Sequence, residues 1–196
     1  MSESALVSAL YLPPAEWFLA LKSYKSLHLD PNELWIKQTL RNRTYILGAN
    51  GIQCLSVPVK HNGGIPVPIK DIRISYSEPW VRVHKGAFFS AYNTSPFFEF
   101  FKDEFFAILD RKPEFLFDLN QALLHLIIKK ARLNISIEPF DKDKQTTDLK
   151  YLGDRNLLIS TLQKVPDYAQ VFSYKWPFQP YLSVIDLISN TGKING

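Results

Sequence analysis

One cysteine, Cys54, is all this 196-residue chain contains, so no internal disulfide can form and the composition suits a reducing compartment. Metal-ligand spacing is missing too. His28, His61, His84 and His125 are scattered, with no His-x3-His or Cys-x2-Cys pair, so neither a zinc site nor a cofactor is expected. Glycine is scarce and builds no phosphate loop, because Gly48 and Gly51 belong to a hairpin with no helix behind it; nor is there a Gly-x-Ser-x-Gly elbow. Ala5 to Leu12 is apolar but too short to cross a bilayer and has no charged leader, so no membrane span and a cytoplasmic location are expected. No sign of charge dominates. The net +4 is mild, and the densest basic run, Lys129-Lys130-Ala131-Arg132, falls at the end of an expected helix, where cations complement the dipole. Nucleic acid is therefore not an expected partner, although a pI near 9.0 keeps RNA binding as a distant alternative. No spaced pair of carboxylates suggests glycosidase chemistry.

What the chain has in quantity is aromatic side chains, 14 Phe, 9 Tyr and 4 Trp, enough to fill a core with rings. Its length fits one domain, 1–196 with about 5–190 ordered, burying roughly 70% of the unfolded surface. The first half reads as β-rich: a strand over Ala5–Tyr11 stopped by Pro13-Pro14, a short helix Ala15–Tyr24, and short strands at Ser26–Leu29 and Leu34–Gln38. Asn50-Gly51 between Thr44–Leu47 and Ile52–Val59 predicts a hairpin with both turn residues left-handed. His61 to Pro68 reads as loop and Asp71–Ser75 as a half-buried strand. Helical spacing follows at Trp80–Tyr92, with Trp80, Val83, Ala87, Phe88 and Ala91 on one face. A second helix is expected from Ser95 as N-cap with Pro96 behind it, and a third from an Asp118/Gln121 capping box. Leu133–Glu138, Ala169–Tyr174 and Leu182–Ile188 read as strands, and Asp141 to Asp148 as exposed loop. The order implies an α+β fold: β-rich first half, central helices, C-terminal strands.

Polar residues stand out at the edges of these elements. Arg41, Asn42 and Arg43 precede the hairpin, where guanidinium groups could clamp a carboxylate or phosphate; the plainer reading is a solvated strand entrance. His84 shares a helix face with Trp80 and Phe88, with Tyr92 close to the same line. It reads either as a core histidine or as a general base held at an apolar wall. Asp118, Asn120 and Gln121 read first as helix capping. Cys54, mid-strand, reads as buried and inert.

Taken together, the residues resemble the WbqC-like family, in particular its Bacteroidetes-type branch. The elements that carry the resemblance are Glu33-x-x-x-Lys37-Gln38-x-x-Arg41-Asn42-Arg43, Ala49-Asn50-Gly51, and Leu55-x-Val57-Pro58-Val59-Lys60. They continue with Trp80-x-x-x-His84, Ala91-Tyr92-x-x-x-Pro96-Phe97-Phe98, Asp118-Leu119-Asn120, Tyr168-x-Gln170-Val171-Phe172 and Pro180-x-Leu182-Ser183-x-x-Asp186-Leu187. Two positions depart from the family pattern: Tyr181 stands where Asn is expected, and Pro177-Phe178 where Gly-Phe is expected. The resemblance implies transfer of an amino-acyl group such as glycine onto a sugar in surface-polysaccharide (O-antigen) biosynthesis, with a small-molecule donor and a sugar-linked acceptor. His84 would then be the general base, with Tyr92 and Asp118 beside it. Lys37, Gln38, Arg41, Asn42, Arg43, Lys60 and Asn120 would bind substrate. The rival is a non-catalytic binding or assembly protein, in which His84 is fully buried and the arginines pair within the chain. Oligomeric state is left open.

Overall fold

The computed structural model describes residues 4–60, 63, 65–140, 150–152 and 165–193. At its centre is a four-stranded sheet in which every neighbouring pair is parallel. It is built from β1 (Ser4–Val7), β2 (Ser26–Leu29), β5 (Ser136–Pro139) and β6 (Lys150–Leu152), in the order β5-β2-β1-β6. Parallel neighbours need a crossover, and α1 (Ala15–Leu21) supplies the one between β1 and β2. Trp17, Phe18 and Leu21 of α1 are buried, as are Ala5 and Val7 of β1 and Leu27 and Leu29 of β2.

A separate two-stranded sheet holds the hairpin, β3 (Arg43–Gly48) against β4 (Gly51–Ser56), with Gly48 opposite Gly51. The hairpin is where the sequence places it, but its turn differs. Gly51 alone takes positive φ (104°); Asn50 does not. A glycine in the left-handed region closing the loop does the work that two left-handed residues would do in a type I′ turn. Cys54 faces outward from β4 and is exposed, so the expectation of a buried thiol is corrected.

Four further helices follow: α2 (Trp80–Tyr92), which packs on β3, α3 (Lys102–Asp110) and α4 (Leu116–Lys130), which pack on each other, and α5 (Val184–Thr191), which packs on α1. Trp80, His84, Phe88, Ala91 and Tyr92 form the buried stripe of α2, whereas Val83 is exposed. Phe88 of α2 lies edge-on to Phe105 of α3 at 4.9 Å, and within the turn before α3 Phe98 lies edge-on to Phe101 at 5.4 Å between centroids.

Several expectations are overturned. Residues 34–38 are loop, and 71–75 contribute only isolated bridges after a 3-10 turn at Ile69–Asp71. Ser95 caps nothing downstream. Its hydroxyl donates to the Tyr92 carbonyl at the end of α2, and α3 begins only at Lys102 after a 3-10 turn, Phe98–Phe100. Phe115 is the N-cap of α4, so Asp118 lies inside the first turn and is exposed, favourable to the dipole but not a cap. Residues 169–174 form no strand, and Leu182–Ile188 is largely helix. Ser183 Oγ accepts from the Ile185 amide, and Gly192 ends α5 in the left-handed region. The expected loop from Asp141 to Asp148 lies outside the described residues.

Candidate functional site

Ligands of parallel sheets gather at the carboxyl ends of the strands, so the chain leaving β1 is the place to look. Residues 8–12 leave the sheet there and are buried. Ser8 donates to Glu33 Oε1 at 2.8 Å, and the Arg41 guanidinium donates to the same oxygen. Arg41 is only 2% exposed, and its Nη1 also reaches Thr39 Oγ1 at 3.4 Å. Asn120 extends from the first turns of α4 and its Nδ2 bridges two carbonyls, Ala9 at 2.9 Å and Arg41 at 2.8 Å. Asn42 Nδ2 donates to the Val57 carbonyl at 2.9 Å, and the Val57 amide returns a bond to Asn42 at 2.8 Å. The side-chain oxygens of Asn42 and Asn120 are buried with no hydrogen-bond partner. Thr44 Oγ1 donates to the Leu12 carbonyl at 2.7 Å. Glu33, Arg41 and Asn42 all belong to residues 30–42, a connection long for its kind and without helix or strand.

His84 meets this region through Tyr11, whose hydroxyl oxygen lies 2.8 Å from Nδ1. Trp80 packs edge-on against the imidazole at 5.0 Å. Burial lowers the His84 pKa to about 4, outweighing the Ser56 backbone, which accepts from the ring and favours protonation. The ring is therefore neutral at physiological pH. With its proton directed to Ser56, Nδ1 is left as the acceptor for Tyr11. Ser56 also receives Arg43, whose Nε lies 3.2 Å from Oγ.

Of the residues singled out in the sequence, the structure gathers Arg41, Asn42 and Asn120 into one buried network, with Arg43 and His84 meeting at Ser56. Lys37 and Gln38 sit on the exposed stretch of the same 30–42 loop, Gln38 at φ 62°. Lys60 is exposed beyond β4, and Asp118 is exposed on α4. Tyr92 belongs elsewhere. Its fully buried hydroxyl faces Asp186 without completing a hydrogen bond.

That second constellation went unrecognised in the sequence. Asp186 Oδ2 accepts from Tyr168 at 2.6 Å and from Gln170 Nε2 at 3.1 Å. Burial pushes the Asp186 carboxyl up, while bonds from Tyr168 and Gln170, and the Tyr92 hydroxyl that faces it, pull it down. Glu16 is 1% exposed, its pKa raised by burial, and it accepts from the Tyr181 amide at 3.0 Å. Burial, then the charge of Asp186, raises the Tyr168 hydroxyl far above its ordinary range. A glutamate inside the apolar run Ala15-Glu16-Trp17-Phe18 was the available signal. Tyr181 sits at φ 62°, a left-handed conformation that asparagine, the residue expected there from the resemblance, adopts more readily.

No curated protein and no solved structure matches this chain. The sequence profile described as the WbqC-like protein family matches residues 9–161, which takes in the segment after β1, the 30–42 loop, the hairpin, α2 and α4. The chain belongs to the WbqC-like protein family.

Proposed function

We propose that this protein transfers a small amino-acyl group, glycyl or similar, onto a sugar-linked acceptor in surface-polysaccharide biosynthesis, and that its substrates sit over the 30–42 loop at the carboxyl ends of β1 and β2. The observation that carries this reading is the loop itself. It is long and irregular, and the Ser8–Glu33–Arg41 bonds tie it to the end of a parallel strand. The exposed Lys37 and Gln38 are then free to meet a ligand without disturbing that anchor. Arg43, directly after the loop, adds a cation suited to an anionic donor or a sugar nucleotide, and the exposed Lys60 is a second candidate. In this arrangement His84 and Arg41 are positioning residues. The ring holds Tyr11, the guanidinium holds Glu33, and Tyr92 and Asp118 stand outside the substrate seat.

A second reading has its own support. His84 at 3% exposure and Arg41 paired with Glu33 are what a non-catalytic binding protein would show. One experiment separates the two. The purified protein is titrated by calorimetry with sugar nucleotides and then incubated with them and amino-acyl donors, while mass spectrometry follows the sugar for the added acyl mass. The transferase reading expects acylated sugar, and expects Lys37→Ala to weaken binding by roughly tenfold with an unchanged melt. Binding without any acylated product favours the binding protein. Binding untouched by Lys37→Ala moves the seat away from the loop.

A further inference from the structure

The basic run Lys129-Lys130-Ala131-Arg132 does more than end α4. It borders a cleft of about 1010 Å³ whose other wall carries Phe97 and Phe100, with Lys193 joining from the residues after α5. Among the described residues, no Asp or Glu lines this cleft. Phe100 is 72% exposed, and Phe97 is 38% exposed with its ring 6.3 Å from that of Phe100.

The aromatic wall is held in place. Gly192 lies so close to the Phe97 ring that a Cβ there would come within 2.8 Å of it, and the Phe97 amide donates to the Ser189 carbonyl at 3.0 Å. Lys130 Nζ donates to the Phe100 carbonyl at 3.1 Å. Lys129 and Lys130 share one carboxylate, Glu104, so that cluster keeps an excess of positive charge. Arg132 adds another cation just past the helix, at φ 54°.

We propose that this cleft docks the protein onto an anionic phospholipid bilayer, with Phe100 entering the headgroup boundary and Lys129, Lys130, Arg132 and Lys193 facing lipid phosphates. A fixed, exposed ring across a cleft from a cluster of cations has the amphipathic character of an interfacial anchor. Charge complementarity selects an anionic surface over a zwitterionic one. The contact is peripheral, because no helix among the described residues is long and apolar enough to cross a membrane. It does not rest on the transferase reading, since the cleft shares no residue with the 30–42 loop.

The test is co-sedimentation of the full chain with phosphatidylcholine vesicles, with and without about 30% phosphatidylglycerol. Binding is expected only to the anionic vesicles and should vanish in about 0.5 M salt. Phe100→Ser should lower the partition by about tenfold or more, and Arg132→Gln by roughly fivefold. Tyr174→Ser, which removes an equally exposed ring outside the cleft, should leave it unchanged. Equal binding to both vesicle types, no binding to either, or wild-type partition of a folded Phe100→Ser variant would overturn the proposal. If Phe100→Ser does not fold, Arg132→Gln decides by the same reading. Saturation by monomeric short-chain phosphatidylglycerol without vesicle binding would assign the cleft to a soluble amphiphile and overturn the bilayer as its occupant.

Discussion

Arg41 and Glu33 lie eight residues apart on one irregular loop and meet in an ion pair that is almost closed to solvent, at 2% and 11% side-chain exposure. The pair fastens the loop to Ser8, and so to the end of β1. Desolvated charges tolerate the loss of both partners better than the loss of one. Arg41→Met alone should destabilise the fold by about 3–5 kcal/mol, whereas Arg41→Met with Glu33→Leu should cost clearly less than the two single changes summed. Urea melts of the three variants measure the coupling. Additive losses would show that the pair carries no shared energy.

Stability should depend on pH through His84. Its folded pKa is about 4 against an ordinary 6.5, so between those values the unfolded chain binds a proton that the native protein excludes. The contribution is intact above pH 6.5 and is lost as pH falls towards 4, amounting to as much as about 3 kcal/mol. Glu16 and Asp186 act in the opposite sense. Their raised pKa values make the native protein gain relative stability as these carboxyls protonate. Comparing wild type with His84→Gln isolates the histidine. The variant should be less stable by about 1–3 kcal/mol at neutral pH, because Tyr11 loses its acceptor, and the gap should narrow on acidification. A gap that does not change with pH would exclude this linkage.

Gly51→Val places a β-branched residue at φ 104° and should cost about 1–3 kcal/mol. Space is not the obstacle, since a Cβ there would meet Trp176 at an ordinary 3.7 Å. Asn50→Ala, at a position without positive φ, should cost under about 0.5 kcal/mol. Thermal melts of the two variants read the difference, and similar losses would restore the turn with two left-handed residues.

Tyr181→Asn should stabilise the protein by about 0.5–1 kcal/mol, because asparagine accepts φ 62° with less strain while its amide keeps the bond to Glu16. A loss on chemical denaturation would mean that packing of the Tyr181 ring outweighs its backbone strain.

Strong local signals carry through to the structure. The hairpin follows from Gly51 between two apolar runs, and α2 and α4 from ring and leucine spacing. Their opposite is α5. Val184, Ile185 and Ile188 gave it the appearance of a strand, while the helix start written in Ser183-x-x-Asp186 carried less weight than it should have. The parallel sheet was beyond reach, because its short strands pair with distant partners, Ala5 with Leu27 and with Lys150. The site divides the same way. Arg41, Asn42 and Asn120 could be picked out as polar groups at element edges, but their burial depends on Glu33, Ser8 and the end of β1, a relation no local pattern displays. Glu16 and Asp186 both act on Tyr168 because α1 and α5 pack side by side.

Residues 12–15 also tie together segments far apart in sequence. The Leu12 carbonyl accepts from Thr44 and from Ser183, the Val184 amide donates to Pro13, and the Ala15 amide donates to Leu182. The bond from Ser183 to Leu12 spans 171 positions, so part of the bonding of this segment waits for a distant stretch of chain. The entry into α1 is therefore consolidated only when α5 docks, so these two helices gain their order together.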